Sequence, residues 1–252
     1  MIMTLAEYYN FPEGTNCTRR YYSVLDDGVE YPIEGDLSKF FYGQPRFALP
    51  DMNCKVTNLA NFTYQASLSS LAGLEEMDTS ECTDMQYAFY GSTYLHSVEP
   101  IKYWDTSKVT NMYYMFASTN IYNFDVEWDT SNVTDMGGMF YYQTLQSLCA
   151  LNCSSVGQNK YPLQNFSNQT ALTTVGGFID MKYSWDNAYG LAKTPNLTYE
   201  SCINILNGLY DFTGNGQIPT STQGKLKVHQ NFLNLVGDEI SIGTNKGWTI
   251  TT

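Results

Sequence analysis

"WDTSKVTNMYYMF" runs from Trp104 to Phe116, and "WDTSNVTDMGGMF" runs from Trp128 to Phe140. A looser copy, "MDTSECTDMQYAF", starts at Met77. The starts at 77, 104 and 128 are separated by 27 and then 24 residues. A period of about 20–29 residues belongs to leucine-rich repeats. Fainter text flanks the three copies. "VTNLANF" (Val56–Phe62) precedes them, and "LQSLCALNCSSVG" from Leu145 keeps only the first half of a unit.

Each unit has two halves with different periods. The first half is apolar at every third residue: Leu68, Leu71, Leu74, then Leu95, Val98, Ile101, then Leu145, Leu148, Leu151. One unit is shorter, with Ile121, Phe124 and Val126. This is the L-x-x-L text of a short strand and the turn leaving it. The second half places Val109, Met112, Met115 and Phe116 at i, i+3, i+6 and i+7, and Val133, Met136, Met139 and Phe140 repeat it. That spacing predicts an apolar stripe on a two-turn helix. Asp-Thr-Ser between the halves predicts side-chain bonds to the amides opening that helix, with Asp84 and Asp135 in its first turn. Trp104 and Trp128 are expected to cap the core between neighbours. One such unit cannot bury its own apolar face, because an isolated two-turn helix is unstable in water. Neighbouring copies supply the cover, each buried side chain contributing roughly 1.5–3 kcal/mol.

These phrases resemble the BspA-like leucine-rich repeats, whose hallmark is a DTSNVTDM-x-x-MF phrase, over about Val56 to Met181. The stretches "LTTVGGFIDM" (Leu172–Met181), "PNLTYESCINILNGLYDF" (Pro195–Phe212) and "DEISIGTNKGWTI" (Asp238–Ile250) resemble the C-terminal cap of such proteins. The resemblance implies a surface-exposed recognition or virion protein, of the kind found among phage tail-associated and bacterial surface proteins, and not an enzyme. The expected fold is therefore an α+β leucine-rich-repeat solenoid, with a short strand and a short helix per repeat. Residues 1–50 form a strand- and turn-rich N-terminal module, 51–181 the repeats, and 182–252 an α/β cap. In the cap, Thr198 is placed to open a helix reaching about Leu209. "GKLKVHQNF" (Gly224–Phe232) alternates like a strand, and a short helix near Asp238 precedes a final strand at "WTIT".

Composition removes several function classes. A net charge of -12, with 13 Lys and Arg spread through 252 residues, does not suit a phosphate backbone, so no nucleic-acid partner is expected. No run of about 18 apolar residues predicts a membrane span. The start, "MIMTLAEYYNFPEG", lacks the basic and apolar regions of a signal peptide, and its Met suggests a complete product made in a cytosol. Arg19 and Arg20 are the one adjacent basic pair. The six cysteines do not make a disulfide framework. Cys82 stands where sister copies carry Val109 and Val133 and reads as a buried hydrophobe, as does Cys202. Cys149 and Cys153 lie close enough to pair or to share a metal, but no second Cys/His pair supports zinc. Seven N-x-[ST] sequons, at Asn16, Asn61, Asn132, Asn152, Asn165, Asn168 and Asn196, read as polar turn chemistry.

No catalytic constellation, metal site or cofactor motif is found. His96 and His229 stand outside any metal spacing, and neither G-x-S-x-G nor H-E-x-x-H occurs. Binding is expected instead on the outward x positions of each L-x-x-L: His96 and Ser97, Tyr122 and Asn123, Gln146 and Ser147, Thr173 and Thr174. Tyrosine is abundant, at 21 residues. Tyr113, Tyr114, Tyr141 and Tyr142 are expected to dock another subunit, since Tyr joins a rigid apolar face to a polar tip. The leading expectation is a virion-associated phage protein, tail-linked, that contacts other virion proteins, itself, or a host-surface glycan or protein. The alternatives are a bacterial cell-surface adhesin and, in another class, a glycan-active enzyme.

Overall fold

The residues of the Trp-Asp-Thr-Ser phrase have separate structural tasks. The tryptophan reaches back: Trp104 Nε1 donates to the Leu74 carbonyl and Trp128 Nε1 to the Ile101 carbonyl, both at 2.9 Å. The aspartate closes a local turn, its Oδ1 accepting from the serine amide two residues on, in Asp78 to Ser80, Asp105 to Ser107 and Asp129 to Ser131. The threonine reaches forward while buried: Thr79, Thr106 and Thr130 Oγ1 donate to the carbonyls of Asp105, Asp129 and Asn152. Short polar side chains suit this work because they compete for nearby backbone groups.

The computed structural model describes residues 23–26, 29–32, 35–43, 49, 52–158, 160, 170–183, 191–220 and 223–252. The Arg19–Arg20 pair and the sequons at Asn16, Asn165 and Asn168 lie outside these residues, as does most of 1–50.

The second half of each copy is not helical. Tyr87, Phe89 and Gly91 give their amides to Tyr113, Met115 and Ala117 of the next copy, while Ala88, Tyr90 and Ser92 bond three residues back. With alternate amides sent outside, the i to i−4 ladder of an α-helix cannot form. Two left-handed residues per copy enforce the path. They are Lys39 and Gly43, Asn61 and Gln65, Tyr87 and Gly91, Tyr114 and Ser118, and Gly138 and Tyr142, with φ between 54° and 78°. Asp84 and Asp135 therefore do not sit in a helical first turn. Their Oδ1 atoms accept from Gln86 and Gly137 in further side-chain turns.

Strands are short. β1 (Ser23–Asp26) and β2 (Val29–Pro32) form an antiparallel hairpin, and β3 (Gly35–Asp36) pairs in parallel with β4 (Val56–Asn58). β5 (Asn123–Phe124), β6 (Ser147–Leu148) and β8 (Thr174–Val175) make a three-stranded parallel sheet, while β7 (Leu151–Asn152) pairs with β9 (Phe178–Ile179). β10 (Lys225–Lys227) and β11 (Thr249–Thr251) form a last parallel pair. Elsewhere, successive copies meet through isolated parallel bridges, Asn58 to Asp84, Asp84 to Asn111 and Asn111 to Asp135. The expected α+β leucine-rich-repeat solenoid is thus overturned. Among the described residues the fold is mostly short strands in small parallel sheets, with two short helices confined to the C-terminal part, and no solenoid array is formed.

Those helices are α1 (Tyr199–Asn207) and α2 (Gln230–Val236), followed by a single helical turn, α3 (Ser241–Thr244). Thr198 caps α1, accepting from the Ser201 amide. At the other end Lys246 Nζ donates to the carbonyls of Leu206, Asn207 and Leu209, a cation on the negative end of the helix. The alternation expected through Gly224–Phe232 ends early: Leu226 and Val228 are buried, but His229 caps α2 and Gln230 begins it. One continuous hydrophobic cluster runs from Leu37 to Trp248. Phe89, Phe116 and Phe140, from three copies, stack through it at 5.4 and 6.5 Å, and Trp104 and Trp128 stack at 6.5 Å.

Candidate functional site

Two surfaces collect the residues singled out by the sequence. The first follows the first halves of the copies. Leu95, Val98, Ile121, Phe124, Leu145, Leu148, Leu172 and Val175 are buried, which turns the intervening residues outward. Parallel pairing then sets Ser97 beside Asn123, Asn123 beside Ser147, and Ser147 beside Thr174. Strand spacing puts such neighbours about 5 Å apart. His96, Ser97, Tyr122, Asn123, Gln146, Thr173 and Thr174 are exposed and Ser147 is half-buried.

The row is held rigidly. The Tyr122 carbonyl accepts from the Gln146 amide at 2.7 Å, and the Gln146 carbonyl accepts from the Thr173 amide at 2.9 Å. Ser147 Oγ donates to Asn123 Oδ1 at 2.9 Å. The His96 and Tyr122 rings lie parallel, with centroids 5.3 Å apart. His96 Nδ1 is 3.0 Å from the Asn120 carbonyl. A carbonyl only accepts, so Nδ1 carries the proton there. The row thus presents phenol, imidazole, amide and hydroxyl groups and no carboxylate or ammonium. Such groups can donate and accept hydrogen bonds without selecting a charge.

The second surface is a run of tyrosines over the turn segments. Tyr42 and Tyr64 stack at 4.9 Å, and Tyr64 and Tyr90 at 4.7 Å. Tyr87 touches Tyr90, Tyr113 and Tyr114 at 5.5, 5.4 and 5.6 Å. Tyr113 meets Tyr114 at 4.5 Å, Tyr114 meets Tyr141 at 5.6 Å, and Tyr141 meets Tyr142 at 4.1 Å. Eight rings therefore make one chain of contacts. Of the four tyrosines assigned to docking, Tyr113, Tyr114 and Tyr141 are half-buried among these rings, and Tyr142 is 65% exposed. Burial first, and then neighbouring tyrosine charge, pushes Tyr87 up to about 12. A hydrogen bond shared with Tyr142 is the main cause holding Tyr141 at about 12. Burial also raises Tyr64 and Tyr114.

Tyr42 and Tyr64 were not singled out by the sequence reading. The signal exists: "FFYG" at 40–43 repeats "AFYG" at 88–91, which marks a further copy inside the first fifty residues. Its backbone confirms the equivalence, since Leu37, Lys39, Phe41 and Gly43 donate to Asn58, Ala60, Phe62 and Tyr64.

The remaining candidates are structural. Cys82, Cys149, Cys153 and Cys202 are free thiols, and burial pushes Cys82 and Cys153 up to about 12. Asn132 and Asn196 spend their side-chain amides on the Ser107 and Thr170 carbonyls. His229 is the α2 cap. Among the described residues no group of three or more His, Cys, Asp and Glu is placed to hold a metal ion, and no helix is long and apolar enough to cross a membrane.

No curated protein and no solved structure matches the chain. Residues 54–174, which contain the whole polar row and the four tyrosines assigned to docking, match the family model described as "Mycoplasma protein of unknown function, DUF285".

Proposed function

We propose that the chain is a non-enzymatic recognition protein that binds a polar surface ligand, a glycan or a peptide, along the row from His96 to Thr174. One observation carries this reading. Four segments separated by more than twenty residues each are locked in parallel register so that their uncharged polar side chains line one face. The face can vary without disturbing the buried residues beneath it.

The BspA-like character of the repeat text supports display on an exterior, first of all on a phage particle as a tail-linked protein. Display on a bacterial cell surface is the second reading, favoured by the Mycoplasma family whose model matches 54–174. Mass spectrometry of purified particles and of surface-labelled cells separates the two placements. Recognition itself is tested by Tyr122→Ala with Gln146→Ala. Both side chains are exposed, so the variant keeps the parent melting temperature and loses host-surface adsorption. Unchanged adsorption by the folded variant defeats the proposal.

A further inference from the structure

We propose that the eight-tyrosine array is an oxidation site, in which two one-electron oxidising equivalents taken up at its exposed ends are fixed as an intramolecular dityrosine joining two copies of the repeat. The ends of the array are open: Tyr142 is 65% and Tyr42 is 45% exposed. The middle is screened, with Tyr64, Tyr87, Tyr90, Tyr113, Tyr114 and Tyr141 all half-buried. Each ring touches the next, so a radical formed at an end passes inward by exchange between phenols in contact. The Tyr87, Tyr113 and Tyr114 rings lie 4.5 to 5.6 Å from one another, so three phenols are in mutual contact at the middle of the array. Burial keeps the Tyr87 phenol protonated until oxidation removes the proton with the electron.

The chemistry balances with a haem peroxidase and hydrogen peroxide as oxidant. Two phenols each give up one electron and one proton, and the peroxide takes both pairs to become two waters. The two phenoxyl radicals join by one carbon–carbon bond between ring positions ortho to oxygen. The ortho hydrogens then move to the oxygens, restoring both phenols. Tyr42 with Tyr64 at 4.9 Å, Tyr64 with Tyr90 at 4.7 Å, and Tyr87 with Tyr113 or Tyr114 at 5.4 and 5.6 Å all join neighbouring copies, and of these the Tyr87 pairs lie in the middle of the array, where both rings are half-buried.

The intact chain is treated with the peroxidase and peroxide in dilute solution and then digested with trypsin. Cleavage at Lys102 and Lys108 places Tyr87 and Tyr113 on different peptides. The expected product is the peptide of 56–102 joined to that of 109–160 through Tyr87 and Tyr113 or Tyr114, within a monomer. Tyr42→Phe with Tyr142→Phe keeps both rings and closes both ends, so the link falls to the level of a peroxide-free sample. Tyr94 and Tyr103 lie outside the array and are 57% and 72% exposed, so they provide the contrast. Coupling through those residues between molecules means that exposure alone governs oxidation, and it overturns the proposal. An undiminished Tyr87 link in the double phenylalanine variant overturns it as well.

Discussion

Ala66 and Ser92 occupy one position in successive copies. The Ala66 amide bonds back to the Thr63 carbonyl and the Ser92 amide to the Phe89 carbonyl, and both residues are fully buried. Ser92 Oγ has no hydrogen-bond partner. A buried hydroxyl left unpaired loses its hydration without return. Ser92→Ala is therefore expected to stabilise the fold by about 1 kcal/mol, read from the midpoint of urea unfolding. A clear loss of stability would show that the hydroxyl is bonded in solution. Trp128 is the opposite case. Its ring packs on Phe116, Phe124 and Trp104, and its Nε1 holds the Ile101 carbonyl. Trp128→Ala removes both and is expected to cost about 3–5 kcal/mol in the same measurement. A cost below about 1 kcal/mol would mean that the cavity collapses and the carbonyl finds water. Cys82→Val, by contrast, installs the residue of the sister copies at a fully buried site and should leave the midpoint unchanged, with or without reductant.

At the scale of elements, the turn segment shows what the sequence could and could not specify. Val109, Met112, Met115 and Phe116 were recognisable as buried from their spacing, and all four are. A helix was the wrong way to bury them. The deciding bonds run between residues of different copies, such as Tyr87 to Tyr113, which no local periodicity encodes. The left-handed positions were half legible: Gly43, Gly91 and Gly138 mark some of them, but Tyr87, Tyr114 and Tyr142 adopt the same region without glycine. The "GG" of the third full copy has its own reason. A Cβ on Gly138 would lie 2.4 Å from the Tyr114 ring, and one on Gly137 would lie 3.1 Å from Tyr113. The pair leaves room for the two tyrosines of the copy before. Gly138→Ala adds a positive-φ strain to that clash and is expected to cost about 1–3 kcal/mol while moving the Tyr114 ring, visible as a change in near-ultraviolet circular dichroism. An unaltered spectrum at unaltered stability would mean that Tyr114 does not lie over Gly138. The polar row was more legible than the turns, because the spacing within L-x-x-L fixes which side chains face outward whatever lies between the strands.

Over the whole molecule, the tyrosine array links copies from Tyr42 to Tyr142 and couples the fold to alkaline pH. Packing favours the neutral phenol. Burial raises Tyr87, and a hydrogen bond with Tyr142 raises Tyr141, each to about 12 from an ordinary value of 10.0. A phenol that ionises at higher pH when folded than when unfolded supports the fold fully below pH 10.0 and ceases to do so as pH passes about 12. The melting temperature is therefore expected to fall through that window, in step with the appearance of phenolate absorbance. The acidic limb has the reverse sign. Hydrogen bonds from Ser80, Ser107 and Ser131 hold Asp78, Asp105 and Asp129 below their ordinary 3.8, so their support is present above that value and is lost as pH falls through the lower folded values. Phenylalanine separates the phenol from its ring: Tyr87→Phe with Tyr141→Phe keeps the packing and removes two ionisations. That variant is expected to hold its melting temperature further into alkali than the parent. Equal losses in the two proteins would place the alkaline transition outside the array, and a parent that keeps its melting temperature beyond about pH 12 would show that the phenols ionise without disturbing the contacts between copies.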